Sequence, residues 1–329
     1  MSAREFESHS HRWAAGTDRP PCQRPVGTWF FAGLSRVVWV VLRKRMYVAE
    51  AYLDGMTVRE RLLRGLPVGE RRVDVNDVST VVLEGGNGTP LVLLHGGIEC
   101  GGAYWAPVIP QLAEQHRLVV PDVPGLGESD PVAQLDQPTF DNWLKALLEL
   151  CDRPPTLIAH SLVGTLAARF AATHPTRLQR LVLYGVPGIG PYRMPIGLRA
   201  IAVRFALRPS AANMERFERW AFADLDAVRS RAPDWMDAFS AYTRSRARVP
   251  HIKRTMRYLV TTCTKQNHDR IDVPTTLLWG AKDRFVPLRL AEEAGTRLGW
   301  PLRVIGDAGH VPHIERPAAF LEEFTRTRG

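Results

Sequence analysis

Three residues have the side-chain chemistry of nucleophilic hydrolysis. They are Ser161, Asp283 and His310, and each one lies just past a short apolar run. A serine hydroxyl is a weak nucleophile at its own pKa, so it needs a neighbouring base. Histidine titrates near neutral pH and can take that proton, while a carboxylate fixes the imidazole tautomer and stabilises imidazolium. These residue types in this order predict a nucleophile, an orienting acid and a base.

The position of Ser161 has a functional and a structural interpretation. A predicted strand over 156–159 leads into it, and a predicted helix over 162–174 follows. A nucleophile at such a turn is exposed at the carboxyl end of the strand and near the positive end of the helix dipole. A serine that only caps the helix would produce the same local pattern.

The segments that must position these residues alternate between strands and helices from about residue 71 onwards. Such alternation predicts a mostly parallel sheet with helices on both faces, because parallel strands need crossover helices. Only Asn76 and Asp77 separate the first two strands, so the sheet should begin with an antiparallel hairpin. The eight predicted strands are Arg72–Val75, Val78–Leu83, Leu91–His95, Leu118–Val120, Thr156–Ala159, Leu181–Tyr184, Thr275–Trp279 and Leu302–Ile305.

Several motifs together resemble those of the α/β-hydrolase family. They cover about 73–188 and 269–326, and in combination they are specific for the fold. The matching features are His95-Gly96 with Trp105 beyond, the Asp122-x-Pro-Gly-x-Gly-x-Ser129 loop, the turn at Ser161, Gly280-x-x-Asp283, and Gly309-His310-x-Pro312-x-x-Glu315-x-Pro317.

The resemblance implies an eight-stranded, mostly parallel α/β-hydrolase sheet and an oxyanion hole formed by the backbone N–H groups of Gly97 and Leu162. It implies a core over 71–188 and 269–329, and a helical cap over 189–268. Residues 1–70 would then be a partly disordered N-terminal extension. Arginines are frequent and strands are absent in the predicted pattern over 189–268.

One departure from the family pattern lies next to the nucleophile. The family turn usually reads Gly-x-Ser-x-Gly, whereas residues 159–163 read Ala-His-Ser-Leu-Val, and the glycine follows at 164. Val163 is β-branched and should crowd the contact between strand and helix. Either its neighbours are smaller, or the turn is slightly relaxed.

Composition excludes several other classes of protein. The chain has 329 residues, 45% of them hydrophobic and 23% charged, which is typical of a globular protein that can bury a large core. Its four cysteines are scattered, so we expect no metal site, no disulfide framework and a reducing, cytoplasmic setting. The net charge of +9 comes without a nucleic-acid-binding motif, so nucleic acid is not an expected partner.

An apolar run near the N-terminus leaves two interpretations open. Residues 28–42 are too short to span a bilayer comfortably, and Arg36 lies in their middle. Residues 28–45 could form an amphipathic helix on a membrane surface, with the basic residues at 43–45 near lipid phosphates. The favoured alternative is a helix packed on the domain, or a disordered tail.

The sequence therefore predicts an enzyme: a serine hydrolase that cleaves an ester or related acyl bond through an acyl-Ser161 intermediate. Its expected substrate is a small, apolar, ester-type molecule, and no metal or organic cofactor is expected. The same three residues could instead hydrolyse a C–C bond, an amide or a thioester, or act as a cofactor-free perhydrolase. A catalytically silent binding protein is a third hypothesis, motivated by Val163. The pattern specifies no oligomeric state.

Overall fold

Eight strands and twelve α-helices make up the part of the chain that the structure, a computed structural model, describes: residues 56–97, 101–263 and 271–327. The strands are β1 Gly69–Val75, β2 Val78–Gly85, β3 Thr89–Leu94, β4 His116–Pro121, β5 Thr156–His160, β6 Arg180–Tyr184, β7 Thr275–Gly280 and β8 Leu302–Ile305. The helices are α1 Val58–Leu63, α2 Ile109–Ala113, α3 Gln137–Leu148, α4 Ser161–Thr173, α5 Ile196–Leu207, α6 Ala211–Ala221, α7 Leu225–Arg231, α8 Pro233–Arg246, α9 Pro250–Thr262, α10 Leu288–Leu298, α11 Pro312–Glu315 and α12 Pro317–Arg326.

The strands form one sheet in the order β1-β2-β4-β3-β5-β6-β7-β8. β2 pairs antiparallel with β1 and β4, and all the other neighbours are parallel. The predicted eight-stranded, mostly parallel sheet and its initial hairpin are thus confirmed. Asn76 and Asp77 have φ values of 53° and 62°, which these two residue types tolerate and which a tight hairpin turn requires.

Apolar layers cover both faces of the sheet because successive strand residues point to opposite sides. On β5, Leu157 and Ala159 belong to one buried cluster, which also contains Trp143 of α3. Ile158 belongs to the other cluster, together with Trp105. Because both faces of the sheet are covered, the sequences of its central strands are continuous apolar runs.

The segment between β6 and β7 is helical over its described residues. It consists of helices α5 to α9, with no strand among residues 185–263. α6 packs against α5 and α8, α7 packs against α8, and α9 contacts α4. This content agrees with the helical pattern predicted for 189–268, although the division into core and cap stays a prediction.

The folded region begins earlier than the predicted core boundary at residue 71. β1 starts at Gly69, and α1 lies before it and packs against α8. Thr57 caps α1, with its side chain accepting from the Glu60 N–H while the Glu60 carboxylate accepts from the Thr57 N–H. Residues 58–70 are thus part of the fold, whereas the predicted helix over 28–45 lies outside the described residues.

Among the described residues, no helix is long and apolar enough to cross a membrane.

Candidate active site

Ser161 lies at the sharp turn where β5 ends and α4 begins. Its φ is +50°, a left-handed conformation that non-glycine residues rarely adopt and that places its side chain at the carboxyl edge of the sheet. Gly96 passes close beneath this turn. A Cβ at Gly96 would lie 2.3 Å from Nδ1 of His160 and 2.9 Å from Cβ of Ser161, so only glycine fits there.

The residues after Ser161 are closely packed, and the glycine that follows them at 164 has no space for a side chain. Val163 is fully buried in the apolar layer of α3 and α4. At Gly164, a Cβ would lie 2.5 Å from Cγ2 of Val186 and 3.1 Å from the Ala159 oxygen. A side chain at residue 164 would therefore clash with its neighbours, and that position is a glycine.

The structure brings the three predicted catalytic side chains together. Nε2 of His310 is 3.1 Å from Oγ of Ser161, and Nδ1 of His310 is 2.9 Å from Oδ2 of Asp283. The other carboxylate oxygen of Asp283 accepts from the N–H groups of Phe285 and Val286, at 2.8 and 2.9 Å. An Asp283 carboxylate accepts the Nδ1 proton, which leaves Nε2 free to accept from the Ser161 hydroxyl.

Glu315 holds the loop that carries His310. Its two oxygens accept from the N–H groups of Gly309 and Ala223, each at 2.7 Å. The His310 N–H donates to the Ala221 oxygen at 2.7 Å, so this loop is bonded directly to the end of α6. Burial raises the pKa of Glu315, while these backbone donors act in the opposite direction. The sequence motif contains Glu315, but only the fold gives it this role.

Two further histidines lie beneath His310 and are fully buried. Nε2 of His160 donates to the His310 carbonyl at 3.1 Å, and its Nδ1 accepts from the Tyr104 hydroxyl at 3.1 Å. Burial, followed by the neighbouring His310, lowers the pKa of His160 well below its ordinary value. Burial likewise lowers the pKa of His313 to about 3. Both rings are therefore neutral supports at physiological pH.

The backbone at 96–97 lies against the turn at Ser161. The Val163 N–H faces the Gly96 oxygen at 3.4 Å, Gly97 is buried, and Leu162 is half-buried. Gly97 and Leu162 are the residues predicted for the oxyanion hole. They are the sequence neighbours of Gly96 and Val163, whose backbone groups face each other. Their assignment to an oxyanion stays a prediction.

Residues 89–317 match the family model described as the alpha/beta hydrolase fold. The chain belongs to this family. The sequence is 28% identical over 276 residues to 2-hydroxymuconate semialdehyde hydrolase of Pseudomonas sp. strain CF600, covering 76% of this chain and 90% of that protein. It is 30% identical over 257 residues to pimeloyl-[acyl-carrier protein] methyl ester esterase of Aromatoleum aromaticum, covering 73% and 99%.

A solved structure shows the same fold. The 2-hydroxy-6-oxo-6-phenylhexa-2,4-dienoate hydrolase from Rhodococcus sp. strain RHA1 superposes with a TM-score of 0.69 at 20% sequence identity. The match covers 80% of this chain and 99% of the solved one. The predicted family and fold are confirmed, and membership in a family of hydrolases follows.

Aromatic side chains lead from His310 of this α/β hydrolase into the helices above it. The Phe285 ring lies 4.7 Å from the His310 ring, the Phe217 ring 5.2 Å from Phe285, and the Phe205 ring 5.6 Å from Phe217. Tyr192 donates its hydroxyl proton to the Phe285 oxygen at 2.9 Å. Burial and the nearby Asp283 charge raise the pKa of Tyr192, so this side of the site is apolar and uncharged.

The two cations that flank Asp283 in sequence are engaged elsewhere. Nζ of Lys282 is 2.6 Å from Oδ1 of Asp307, and Arg284 donates to the backbone oxygens of Arg219 and Phe222. Within the described residues, no group of three His, Cys, Asp or Glu side chains could hold a metal ion.

A second polar centre stabilises the loop after β4. Both carboxylate oxygens of Asp122 accept backbone N–H groups, from Gly102 and from Glu128. Its third partner, a cation from α1, was not predicted. Arg59 of α1 lies 3.1 Å from Oδ2 of Asp122 and also pairs with Glu70 at 2.6 Å. Burial lowers the pKa of Arg59, but the charge of Asp122 and its other acidic neighbours outweighs that effect and raises it.

Proposed function

We propose that this α/β hydrolase cleaves carboxylic esters through an acyl-Ser161 intermediate. The observation that carries the proposal is the continuous chain of hydrogen bonds from Ser161 through His310 to Asp283, with Ser161 in a left-handed conformation. Strain of this kind persists only where the surrounding structure enforces it, and it is characteristic of functional turns.

In the first half of the reaction, Oγ of Ser161 attacks the ester carbonyl carbon while Nε2 of His310 takes the hydroxyl proton. Asp283 accepts the Nδ1 proton in a hydrogen bond and stabilises the imidazolium that forms. The developing oxyanion would accept from the N–H groups of Gly97 and Leu162. Each such donor typically contributes about 3 kcal/mol of transition-state stabilisation.

In the second half, His310 returns its proton to the alkoxide oxygen, and the alcohol leaves. A water molecule then donates a proton to Nε2 of His310 as it attacks the acyl carbon. Collapse of this second tetrahedral species breaks the bond to Oγ of Ser161, which recovers the proton from His310. The products are a carboxylic acid and an alcohol, and no cofactor takes part.

The surroundings of His310 favour an uncharged acyl group. Phe285 covers one side of the imidazole, and Phe217 continues this apolar wall. Lys282 and Arg284, the cations next to Asp283, are bonded to Asp307 and to backbone oxygens. An apolar ester would therefore bury its chain against aromatic rings without leaving a charge unpaired.

The decisive experiment combines ester hydrolysis with covalent labelling. Wild type should hydrolyse p-nitrophenyl esters and gain the mass of one fluorophosphonate adduct on the peptide that contains Ser161. Ser161→Ala should lose both, whereas the control Ser210→Ala, which changes the capping residue of α6, should keep both. Labelling at another residue, or full activity of Ser161→Ala, would contradict the proposal. A folded wild type without any label would support the silent binding protein instead.

Hydrolysis of a C–C bond is the second proposal, and one observation favours it. The relative from Pseudomonas sp. strain CF600 is named as a semialdehyde hydrolase and aligns with 76% of this chain. Side-by-side kcat/KM values for p-nitrophenyl butyrate and for a 2-hydroxy-6-oxo-dienoate distinguish the two reactions. A higher kcat/KM for the dienoate would replace ester hydrolysis by C–C hydrolysis on the same three residues.

A further inference from the structure

Helix α5 has an apolar face that points to solvent. Ile196, Val203 and Leu207 are 88%, 52% and 80% exposed, and they are three of the four large apolar residues that are strongly exposed among the described residues. Together with exposed Ala200 they are spaced by four, three and four residues, so they lie on one side of the helix. We call these four residues the outer face of α5.

The opposite side of α5 is packed on the protein. Leu198 and Phe205 are buried, and Phe205 stacks on Phe217 with ring centroids 5.6 Å apart. The helix is therefore apolar on both sides, although only one side has a partner among the described residues. Exposed apolar rows of this kind mark surfaces that bind a partner.

Arginines flank the outer face and have no acidic partner among the residues that the structure describes. Arg193, Arg199, Arg204 and Arg208 are exposed, and none forms an ion pair within the described part of the chain. The sequence carries no acidic residue between Asp152 and Glu215. On helical spacing, Arg199 lies on one side of the apolar row and Arg204 on the other.

Some arginines of the following helices are paired. Arg219 pairs with Glu215 and Asp226 at 3.0 and 3.1 Å, and Arg229 pairs with Glu218 at 2.8 Å. Arg254 and Arg257 of α9 are exposed and form no ion pair among the described residues, so α5 is distinguished by the combination of unpaired arginines with an exposed apolar row.

An open cavity of about 480 Å³ adjoins the end of the apolar row. Arg204, Arg208 and Arg216 line it together with Leu207, one of the most exposed apolar side chains. Guanidinium groups bind phosphate oxygens through paired N–H donors. Arginine side chains, which can bind an anion, and an apolar side chain thus line the same cavity.

From these observations we propose that the outer face of α5 binds the surface of an anionic phospholipid bilayer. The helix would lie in the plane of the interface, with its apolar row among the acyl chains and its arginines at the phosphates. The buried side would then face the aromatic residues that lead to His310.

Charge complementarity favours this occupant over two others. A second copy of α5 would bring arginines against arginines, which is repulsive. Residues 28–45 would do the same, because they contain Arg36 and the basic residues at 43–45 and no acidic residue. An anionic bilayer supplies both the negative charge and the apolar phase.

The test uses the full chain with vesicles of phosphatidylcholine alone or mixed with phosphatidylglycerol. Vesicle flotation should show binding to the anionic mixture that weakens as salt rises, because salt screens exposed charges. Hydrogen–deuterium exchange over 191–208 should slow when anionic vesicles are added. The double variant Arg199→Gln/Arg204→Gln should bind about 25-fold more weakly, since each arginine near such a surface contributes about fivefold. Ile196→Ser/Leu207→Ser should also reduce binding.

Two matched controls exclude general effects of surface change. Val304→Ser removes an exposed apolar residue on β8. Arg153→Gln removes an exposed arginine that is distant from α5 in sequence. Both should bind vesicles like wild type. Ser161→Ala should also bind like wild type, so failure of this proposal and failure of the proposed ester hydrolysis are separate results.

Three results would overturn the proposal. One is wild-type binding by the α5 variants, with unchanged exchange over 191–208, which would locate the lipid contact elsewhere, for example at 28–45. Another is a wild-type dimer in sedimentation that the Ile196→Ser/Leu207→Ser variant converts to a monomer. The third is the absence of binding to anionic vesicles at low salt.

Discussion

The carboxyl edge of the sheet and the outer face of α5 satisfy opposite physical requirements. At the sheet edge, Ser161, His310 and Asp283 lie in a chain of hydrogen bonds, and Asp283 and His310 are buried. On α5, Ile196 and Leu207 are exposed, although apolar side chains gain free energy on leaving water. The first region is complete within the chain, whereas the second would be completed by a partner. Substitutions at the two regions should therefore affect different measurements.

The largest effect is expected at Asp283. In Asp283→Asn the amide can donate to Nδ1 of His310, which moves the imidazole proton to Nε2 and removes the acceptor for the Ser161 hydroxyl. We expect kcat for ester hydrolysis to fall by about 10,000-fold. The control Asp307→Asn changes an exposed carboxylate on the next loop, paired with Lys282, and should leave kcat near wild type. Equal losses in both variants would show that Asp283 has no special role.

The next largest effect concerns stability and the buried pair beneath the loop after β4. Arg59→Met leaves the fully buried Asp122 carboxylate without its cation, so the free energy of unfolding should fall by about 3–5 kcal/mol. Arg71→Met removes one member of an exposed pair with Glu84 and should cost about 0–1 kcal/mol. Urea denaturation measures both. A small loss for Arg59→Met would mean that water reaches Asp122.

A smaller effect is expected from the buried histidine below the site. The pKa of His313 is about 3 in the folded protein and about 6.5 in an unfolded chain, so the unfolded state binds more protons between these values. Its contribution to the free energy of unfolding is complete above about pH 6.5 and is lost as pH falls. At pH 5 the loss amounts to about 2 kcal/mol. His313→Gln should flatten the pH dependence of the unfolding free energy by that amount. An unchanged pH profile would argue against a neutral buried His313.

The smallest effect is expected on α5. Ile196→Ser and Leu207→Ser change side chains that are already in water, so each should alter the free energy of unfolding by less than about 0.5 kcal/mol. Hydrolysis of a dissolved short-chain ester should stay close to wild type. Thermal unfolding and initial rates provide the check. A loss of several kcal/mol would show that the outer face of α5 also packs against the chain, and the contrast with the sheet edge would disappear.

Much of the fold followed from local patterns. All eight strands were predicted within a few residues, because covered parallel strands are continuous apolar runs bounded by glycine and proline. The short helix α1 was not predicted, since a helix of one or two turns has too little periodicity to stand out. Side chains alternate between the two faces along a strand, so Leu157 and Ile158 of β5 belong to the two different apolar layers.

The sequence by itself determined which residues the site offers and in what order. Ser161, Asp283 and His310 each follow a strand, and parallel strands bring their carboxyl ends to one edge of the sheet. Only the tertiary structure decided what supports them. The bonds from Glu315 to Ala223 and from His160 to the His310 carbonyl, and the ion pair of Arg59 with Asp122, join residues far apart in the chain. Such partners leave no periodic signal.

Tertiary structure also decided which side of α5 meets solvent. Apolar residues occur on every side of this helix, so its sequence does not distinguish Phe205, which is buried, from Leu207, which is exposed. Burial is a property of the neighbours that the fold supplies, and for α5 the fold supplies them on one side only. Periodicity can predict a helix, but here the orientation of its apolar faces required the three-dimensional packing.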